Sequence, residues 1–131
     1  MNLVLRDYQL RCVSSALPHS GYALFLEQRT GKTIVALYLS REWSCTRILV
    51  VCPKKGVPVW NKAILEMGLD PVHFTVMGFE SFRIGHAKLL KSWDLMIVDE
   101  SHRIKERSSQ QTKACWKVGR YAARRLILTV S

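Results

Sequence analysis

The sequence predicts an α/β protein with a mostly parallel sheet flanked by helices. Short apolar runs rich in β-branched or aromatic residues indicate buried strands, and longer amphipathic segments between them indicate helices. The predicted strands are residues 22–26, 47–52, 72–77, 95–98 and 126–130. The predicted helices are residues 33–43, 57–67 and 109–124. Because strands and helices alternate along the chain, a parallel sheet is the expected arrangement.

Length and composition favour one domain over residues 1–131. The chain is 48% hydrophobic and 23% charged, which excludes the low hydrophobicity of disordered proteins. No repeat, low-complexity tract or linker marks a boundary, and no apolar run approaches the roughly 20 residues of a membrane-spanning helix. We expect no secretion signal and no membrane partner. The chain stops directly after its fifth predicted strand, so we expect a second lobe to be missing or separately encoded.

Charge and cysteine usage narrow the partners and the compartment. The formal net charge is +10 and the pI is about 9.9, which favours a polyanion such as nucleic acid. A merely soluble basic protein, or a lobe separated from an acidic partner, explains the charge equally well. The four cysteines form no CxxC pair, so a zinc site is not expected and a reducing, cytosolic location is.

A phosphate-binding loop is predicted between the first strand and the first helix. The chain there reads Thr30-Gly31-Lys32-Thr33. Backbone N–H groups at a helix start hold phosphate, Lys32 adds charge at the β/γ-phosphates, and the Thr33 hydroxyl binds Mg²⁺. The pattern is partial, because Leu26 stands where the full loop has glycine. Taken alone, this motif also fits an ordinary helix start.

A pair of acids follows the fourth predicted strand. Asp99-Glu100 stands where open α/β sheets bind ligands, at the carboxyl end of a strand. Asp99 would hold hydrated Mg²⁺, and Glu100 would orient and deprotonate the attacking water. A solvated acidic turn is the alternative interpretation.

Several motifs, in this order along the chain, resemble those of superfamily 2 helicases, most closely the small phage and bacterial members of the Swi/Snf-like branch. The motifs are Leu5-Arg6-Asp7-Tyr8-Gln9, Gly31-Lys32-Thr33, Val51-Cys52-Pro53-Lys54 with Trp60, Asp99-Glu100-Ser101-His102, and Leu126-Ile127-Leu128-Thr129-Val130-Ser131. The resemblance covers nearly the whole chain. It implies a single RecA-like P-loop lobe that binds ATP and Mg²⁺ and acts on DNA with a second RecA-like lobe or partner protein.

The resemblance also implies roles for individual residues near the nucleotide. Gln9 would read the adenine edge through its amide, which both donates and accepts. Lys32 and Thr33 would contact phosphate and Mg²⁺. The family usually has an acidic residue and a glycine in the phosphate loop where this chain has Leu26 and Arg29. Arg29 therefore either adds a phosphate contact or faces solvent. Val130 replaces a glycine of the last motif.

A second group of residues is implied to contact the nucleic acid or to couple it to the nucleotide. Lys54 and Lys55 would contact the nucleic-acid backbone as point charges. His102 and Thr129 would couple the two sites, although a turn histidine with a local hydrogen bond explains His102 equally well. Trp60 fits a core residue better than a base-stacking platform. The turn at residues 78–81 would be a further nucleic-acid contact.

A basic stripe is predicted on the helix at residues 109–124. Its positions follow i, i+4, i+7 and i+11, and they are Lys113, Lys117, Arg120 and Arg124. Plain solvation is the usual explanation of such a stripe, and a nucleic-acid or acidic-partner role is the alternative.

The leading hypothesis is therefore an ATP-binding lobe of a DNA-dependent ATPase, helicase or translocase that is poorly active without its second lobe. A non-catalytic DNA- or protein-binding module with the same fold is the alternative. A small phosphoryl-transfer kinase would share the phosphate loop but would leave the Tyr8-Gln9 and Asp99-to-His102 motifs unexplained.

Overall fold

The computed structural model describes residues 21–25, 32–99 and 117–129. The strands within these residues are β1 (Gly21–Phe25), β2 (Ile48–Cys52), β3 (Phe74–Gly78), β4 (Trp93–Asp99) and β5 (Ala122–Thr129). The helices are α1 (Lys32–Glu42), α2 (Val57–Glu66) and α3 (Phe79–Gly85). Short 3₁₀ turns lie at Lys54–Gly56, Pro71–His73 and His86–Leu89.

The described strands form one sheet in the order β1-β5-β4-β2-β3, and each neighbouring pair is parallel. This confirms the predicted α/β class with a parallel sheet flanked by helices. The register aligns the strand ends: Phe25 is opposite Thr129, Asp99 is opposite Leu128, and Cys52 is opposite Gly78. All carboxyl ends therefore lie at one edge of the sheet, which we call the carboxyl edge.

The core has one layer on each face of the sheet. Alternate side chains of a strand point to opposite faces. Ile48, Val50 and Cys52 of β2 thus belong to the layer that includes α1 and α2, while Leu49 and Val51 belong to the layer that includes Phe82 of α3. Because β2 is covered on both faces, all of its side chains are buried, which explains its uninterrupted apolar sequence.

Helices α1 and α2 confirm two of the predicted helical segments, and both end in the same backbone motif. In α2, the N–H of Gly68 donates to the carbonyl of Leu65, and the N–H of Leu69 donates to that of Ile64. Gly68 has φ of 71°, the left-handed conformation that this helix ending requires. Each helix is therefore stopped by local geometry before the chain returns to the sheet.

The predicted helix at residues 109–124 is wrong at its C-terminal end. Residues 117–119 are helical, a turn follows, and β5 begins at Ala122 rather than near Leu126. Trp93 of β4 pairs with Ala122, and this long-range pairing overrides the helical pattern. The basic stripe therefore does not extend to Arg124, whose guanidinium lies 4.7 Å from the centre of the Trp43 ring. Lys113 lies outside the described residues.

The predicted turn at residues 78–81 is also corrected. Gly78 ends β3, and the next residue, Phe79, begins α3. Within the residues the structure describes, none of the helices is both long enough and apolar enough to cross a membrane.

Candidate functional site

The strands that precede the predicted motifs along the chain end at the carboxyl edge. In sequence, the predicted phosphate loop follows β1, the lysine turn follows β2, the acid pair begins with the last residue of β4, and β5 ends at Thr129. Parallel pairing puts the carboxyl ends of these strands on the same side of the sheet. Open α/β sheets bind ligands at this edge, so these strands end where a ligand is expected.

Strand β5 lies between β1 and β4. With neighbouring strands about 4.8 Å apart, the ends of β1 and β4 are separated by about 10 Å. Thr129 is the last residue of β5, the strand between them. A ligand lying across the end of β5 would be flanked by the ends of β1 and β4.

Helix α1 is the next described element after β1 along the chain. Lys32 is its first residue, and Thr33, which is half-buried, lies in its first turn. For Lys32 and Thr129, the structure describes the backbone and not the side chain. The other predicted residues of the nucleotide and coupling sites lie outside the described part of the chain: Gln9, Arg29, Thr30, Gly31, Glu100 and His102.

Asp99 is a buried acid at the end of β4, with 7% of its surface exposed. It lies two residues after Ile97 and four after Leu95, so the period of two puts all three on the same face. Leu95 and Ile97 belong to the core layer that α1 and α2 cover. The carboxylate is therefore on the face of the sheet that α1 and α2 cover.

A tryptophan of α2 holds the Asp99 carboxylate. The indole Nε1–H of Trp60 donates to Oδ2 of Asp99 at 3.0 Å. Trp60 is 1% exposed, as the core interpretation requires, but its polar contact is absent from the sequence prediction. The available signal is chemical: an indole N–H is only a donor, so a buried tryptophan needs an acceptor, and Asp99 ends a neighbouring buried strand.

Cys52, at the end of β2, is affected by the negative charge of Asp99. Burial, and to a smaller extent the negative charge of Asp99, raises the pKa of the Cys52 thiol to about 12. The thiol donates to the carbonyl of Met77 at 3.7 Å. Cys52 is therefore neutral at physiological pH and acts as a core residue rather than a nucleophile.

The two lysines predicted to contact nucleic acid are exposed in the 3₁₀ turn after β2. A Cβ added at Gly78 would lie 3.4 Å from the Lys54 Cα, so the turn packs closely against the end of β3. In the strand order, β2 and β3 are at the opposite end of the sheet from β1. Lys54 and Lys55 therefore lie at the carboxyl edge, at the opposite end of the sheet from β1.

The side chains of Thr33 and Asp99 fit Mg²⁺, and the start of α1 fits a phosphate group. Thr33 and Asp99 offer hydroxyl and carboxylate oxygens, the hard ligands that Mg²⁺ prefers. The N–H groups in the first turn of a helix stabilise an anion, and α1 is the helix that follows β1 along the chain. A buried carboxylate together with a helix N-terminus is a donor set suited to a metal-bound phosphate.

Comparison with known proteins identifies the fold. Two solved structures of the Sulfolobus solfataricus SWI2/SNF2 ATPase core, one of them in complex with dsDNA, each match with a TM-score of 0.78 and 17% sequence identity. The match covers 98% of this chain and 32% of each of those chains. This chain has the fold of a SWI2/SNF2 ATPase lobe. The single RecA-like lobe predicted from the sequence is the architecture that these structures share with it.

A sequence relative points the same way. A Caenorhabditis elegans homolog of SWI/SNF-related matrix-associated actin-dependent regulator of chromatin subfamily A-like protein 1 is 25% identical over 147 residues. That alignment covers 95% of this lobe and 21% of the relative, so the chain spans about a fifth of its length. No protein-family model matches the chain. Similarity to the Swi/Snf-like helicases therefore rests on this relative and on the fold.

Proposed function

We propose that this chain is the ATP-binding lobe of a DNA-dependent ATPase, helicase or translocase of the Swi/Snf-like superfamily 2. The observation that carries the proposal is the buried Asp99 at the carboxyl edge, on the face of the sheet that α1 and α2 cover. The dsDNA in one of the matching SWI2/SNF2 structures supports DNA as the nucleic-acid partner. The phage or bacterial origin and cytosolic location inferred from the sequence belong to the same proposal.

In this proposal, Lys32 binds the β/γ-phosphates, and the oxygens of Thr33 and Asp99 hold Mg²⁺. Arg29, Thr30 and Gly31 belong to the loop that surrounds the phosphates. Magnesium, when bound, neutralises negative charge on the phosphates. The contribution of the protein is to hold its oxygen ligands and its helix N-terminus in place before the nucleotide arrives.

The remaining roles surround this centre. Glu100 accepts a proton from the attacking water, and Gln9 pairs with the adenine edge. His102 and Thr129 couple the nucleotide to the nucleic-acid surface. The register supports the position of Thr129, since β5 ends between β1 and β4.

The proposal also predicts weak activity for the isolated chain. In this class of motor, a second lobe or partner supplies an arginine that stabilises the transferring phosphoryl group and is worth about 10³–10⁵ in rate. The 131-residue chain should therefore bind ATP weakly and hydrolyse it slowly unless a partner lobe is added.

Nucleotide binding tests the proposal. Binding of ATP and of GTP is measured for the wild type, Lys32→Ala and Gln9→Ala, with Lys88→Ala as the control for loss of one positive charge. Lys88 is exposed in the 3₁₀ turn that leads into the amino end of β4, so it does not belong to the carboxyl edge. Lys32→Ala should abolish binding, Gln9→Ala should abolish the preference for ATP, and Lys88→Ala should change neither.

Equal and negligible binding of both nucleotides by all four proteins would overturn the proposal. That outcome, together with salt-dependent DNA binding, would favour a non-catalytic DNA-binding module with the same fold.

A further inference from the structure

The contact between Trp60 and Asp99 joins helix α2 to the end of β4. Both side chains are buried, and the donor and acceptor are 3.0 Å apart. The acceptor in this bond is a carboxylate, and hydrogen bonds to an ionised acceptor are roughly twice as strong as neutral ones. The bond therefore constrains the carboxylate as well as satisfying the indole.

Packing fixes the indole that donates this bond. Trp60 fills the core layer between α2 and the sheet, and α2 begins directly after the lysine turn. A Cβ added at Gly56 would lie 3.8 Å from Trp60 Cδ1 and 3.6 Å from Cys52 Sγ, so the indole is enclosed on that side as well. Because packing holds the indole in place, its N–H favours one orientation of the Asp99 carboxylate. Residues that hydrogen-bond to metal ligands orient those ligands in the same way.

We propose that Trp60 is a positioning residue for the nucleotide site: its indole N–H holds the Asp99 carboxylate in the orientation that receives Mg²⁺. This inference rests on the proposed function, since it assigns Asp99 to the metal. Loss of a hydrogen bond that orients a metal ligand typically weakens metal binding by about 10- to 100-fold. Binding of the nucleotide without metal does not use this carboxylate and should not change.

The same strand offers a matched control. Trp93, at the start of β4, is 5% exposed, and its Nε1–H donates to the carbonyl of Leu89 at 2.9 Å. It lies six residues before Asp99, at a distance of about 20 Å along the strand. Trp93→Phe and Trp60→Phe thus each remove one buried indole hydrogen bond and keep an aromatic ring, but only the second affects the acid.

The first measurement is ATP affinity as a function of Mg²⁺ concentration for the wild type and both variants. Trp60→Phe should need about 10-fold more Mg²⁺ for half-maximal tightening of ATP binding, with metal-free ATP affinity unchanged. Trp93→Phe should match the wild type in both. A purely structural role would instead weaken ATP binding equally with and without metal, and that result, or an unchanged Mg²⁺ requirement, overturns the proposal.

The second measurement uses the wild-type chain and Mg²⁺ alone. In a ¹⁵N–¹H spectrum, the Trp60 indole signal, assigned by its absence in Trp60→Phe, should shift on titration with Mg²⁺, while the Trp93 indole signal should not. This readout separates the two proposals. If MgATP fails to bind but the Trp60 signal responds, the proposed function falls, and what stands is that Trp60 holds a carboxylate that binds Mg²⁺. If MgATP binds and the Trp60 signal does not respond, the positioning role falls alone.

Discussion

Replacing Asp99 by asparagine or by alanine separates the structural role of this residue from its proposed role in metal binding. Asparagine removes the negative charge but keeps an oxygen that can accept the Trp60 Nε1–H bond. Alanine removes the acceptor and leaves a donor buried in the core, since Trp60 is 1% exposed. The two variants share the loss of charge and differ in the hydrogen bond.

The magnitudes follow from burial and from the 3.0 Å hydrogen bond between the Trp60 indole and the Asp99 carboxylate. A buried donor left without an acceptor costs about 1–3 kcal/mol, so Asp99→Ala should lower the free energy of unfolding by that amount. Asp99→Asn should cost less than about 1 kcal/mol, because the bond weakens without being lost and the removal of a buried charge relieves desolvation. Neither variant should show Mg²⁺-dependent ATP binding.

Denaturant unfolding and ATP titration with and without Mg²⁺ measure these two properties. The Trp60→Phe background supplies a further control: with no indole N–H to leave unsatisfied, the cost of Asp99→Ala should fall by about 1 kcal/mol or more. If Asp99→Asn binds MgATP as tightly as the wild type, Asp99 is not a magnesium ligand. If the cost of Asp99→Ala is the same in both backgrounds, the hydrogen bond does not stabilise the fold.

Three further predictions concern other parts of the molecule. Replacing Lys54 and Lys55 by glutamine should weaken dsDNA binding and reduce the slope of log K against log salt by about 2, roughly 1 per phosphate contact; an unchanged slope would exclude these contacts. Hydrogen bonds from Thr46 and from the Arg47 backbone lower the pKa of Asp94 below its usual 3.8, so its stabilisation is complete above that pH and is lost as pH falls through the lowered pKa. Asp94→Asn should therefore lower the unfolding free energy by about 1 kcal/mol near neutral pH and by less in acid, and denaturant titrations that give an equal loss at both would contradict this. Because burial raises the pKa of Cys52 to about 12, alkylation by iodoacetamide at pH 8, followed by peptide mass spectrometry, should be far slower in the native protein than in denaturant; equal rates would refute its burial.

The strands were predictable because burial on both faces demands a particular composition. Strand β2 was predicted at residues 47–52 and is observed at Ile48–Cys52. The sheet order was not predictable from local pattern, because the position of β5 between β1 and β4 depends on pairing between distant segments. The predicted start of β5 was wrong for the same reason. Ala122 and Arg124 have no strong strand preference, and pairing with β4 decides their conformation.

The candidate site, too, could be predicted from the sequence only where local pattern is enough. A strand's carboxyl end is visible in the sequence, so Asp99 could be assigned to the ligand-binding edge before its environment was known. Its hydrogen-bond partner could not be assigned, because Trp60 is 39 residues away and only the packing of α2 against the sheet brings the two together. Composition showed that Trp60 belongs in a core, but did not show which acceptor satisfies it.

Under the proposed function, the strand order separates two anionic ligands. Strands β1, β5 and β4 end at one part of the carboxyl edge, and β2 and β3 present the exposed lysine turn at the other. Helix α2 is common to both, because it begins directly after that turn and carries Trp60 to Asp99. Since the indole is packed within the core layer, the orientation of the carboxylate depends on the position of α2. The lysine turn and the acid are therefore held by the same rigid element, although their ligands would bind at different parts of the edge.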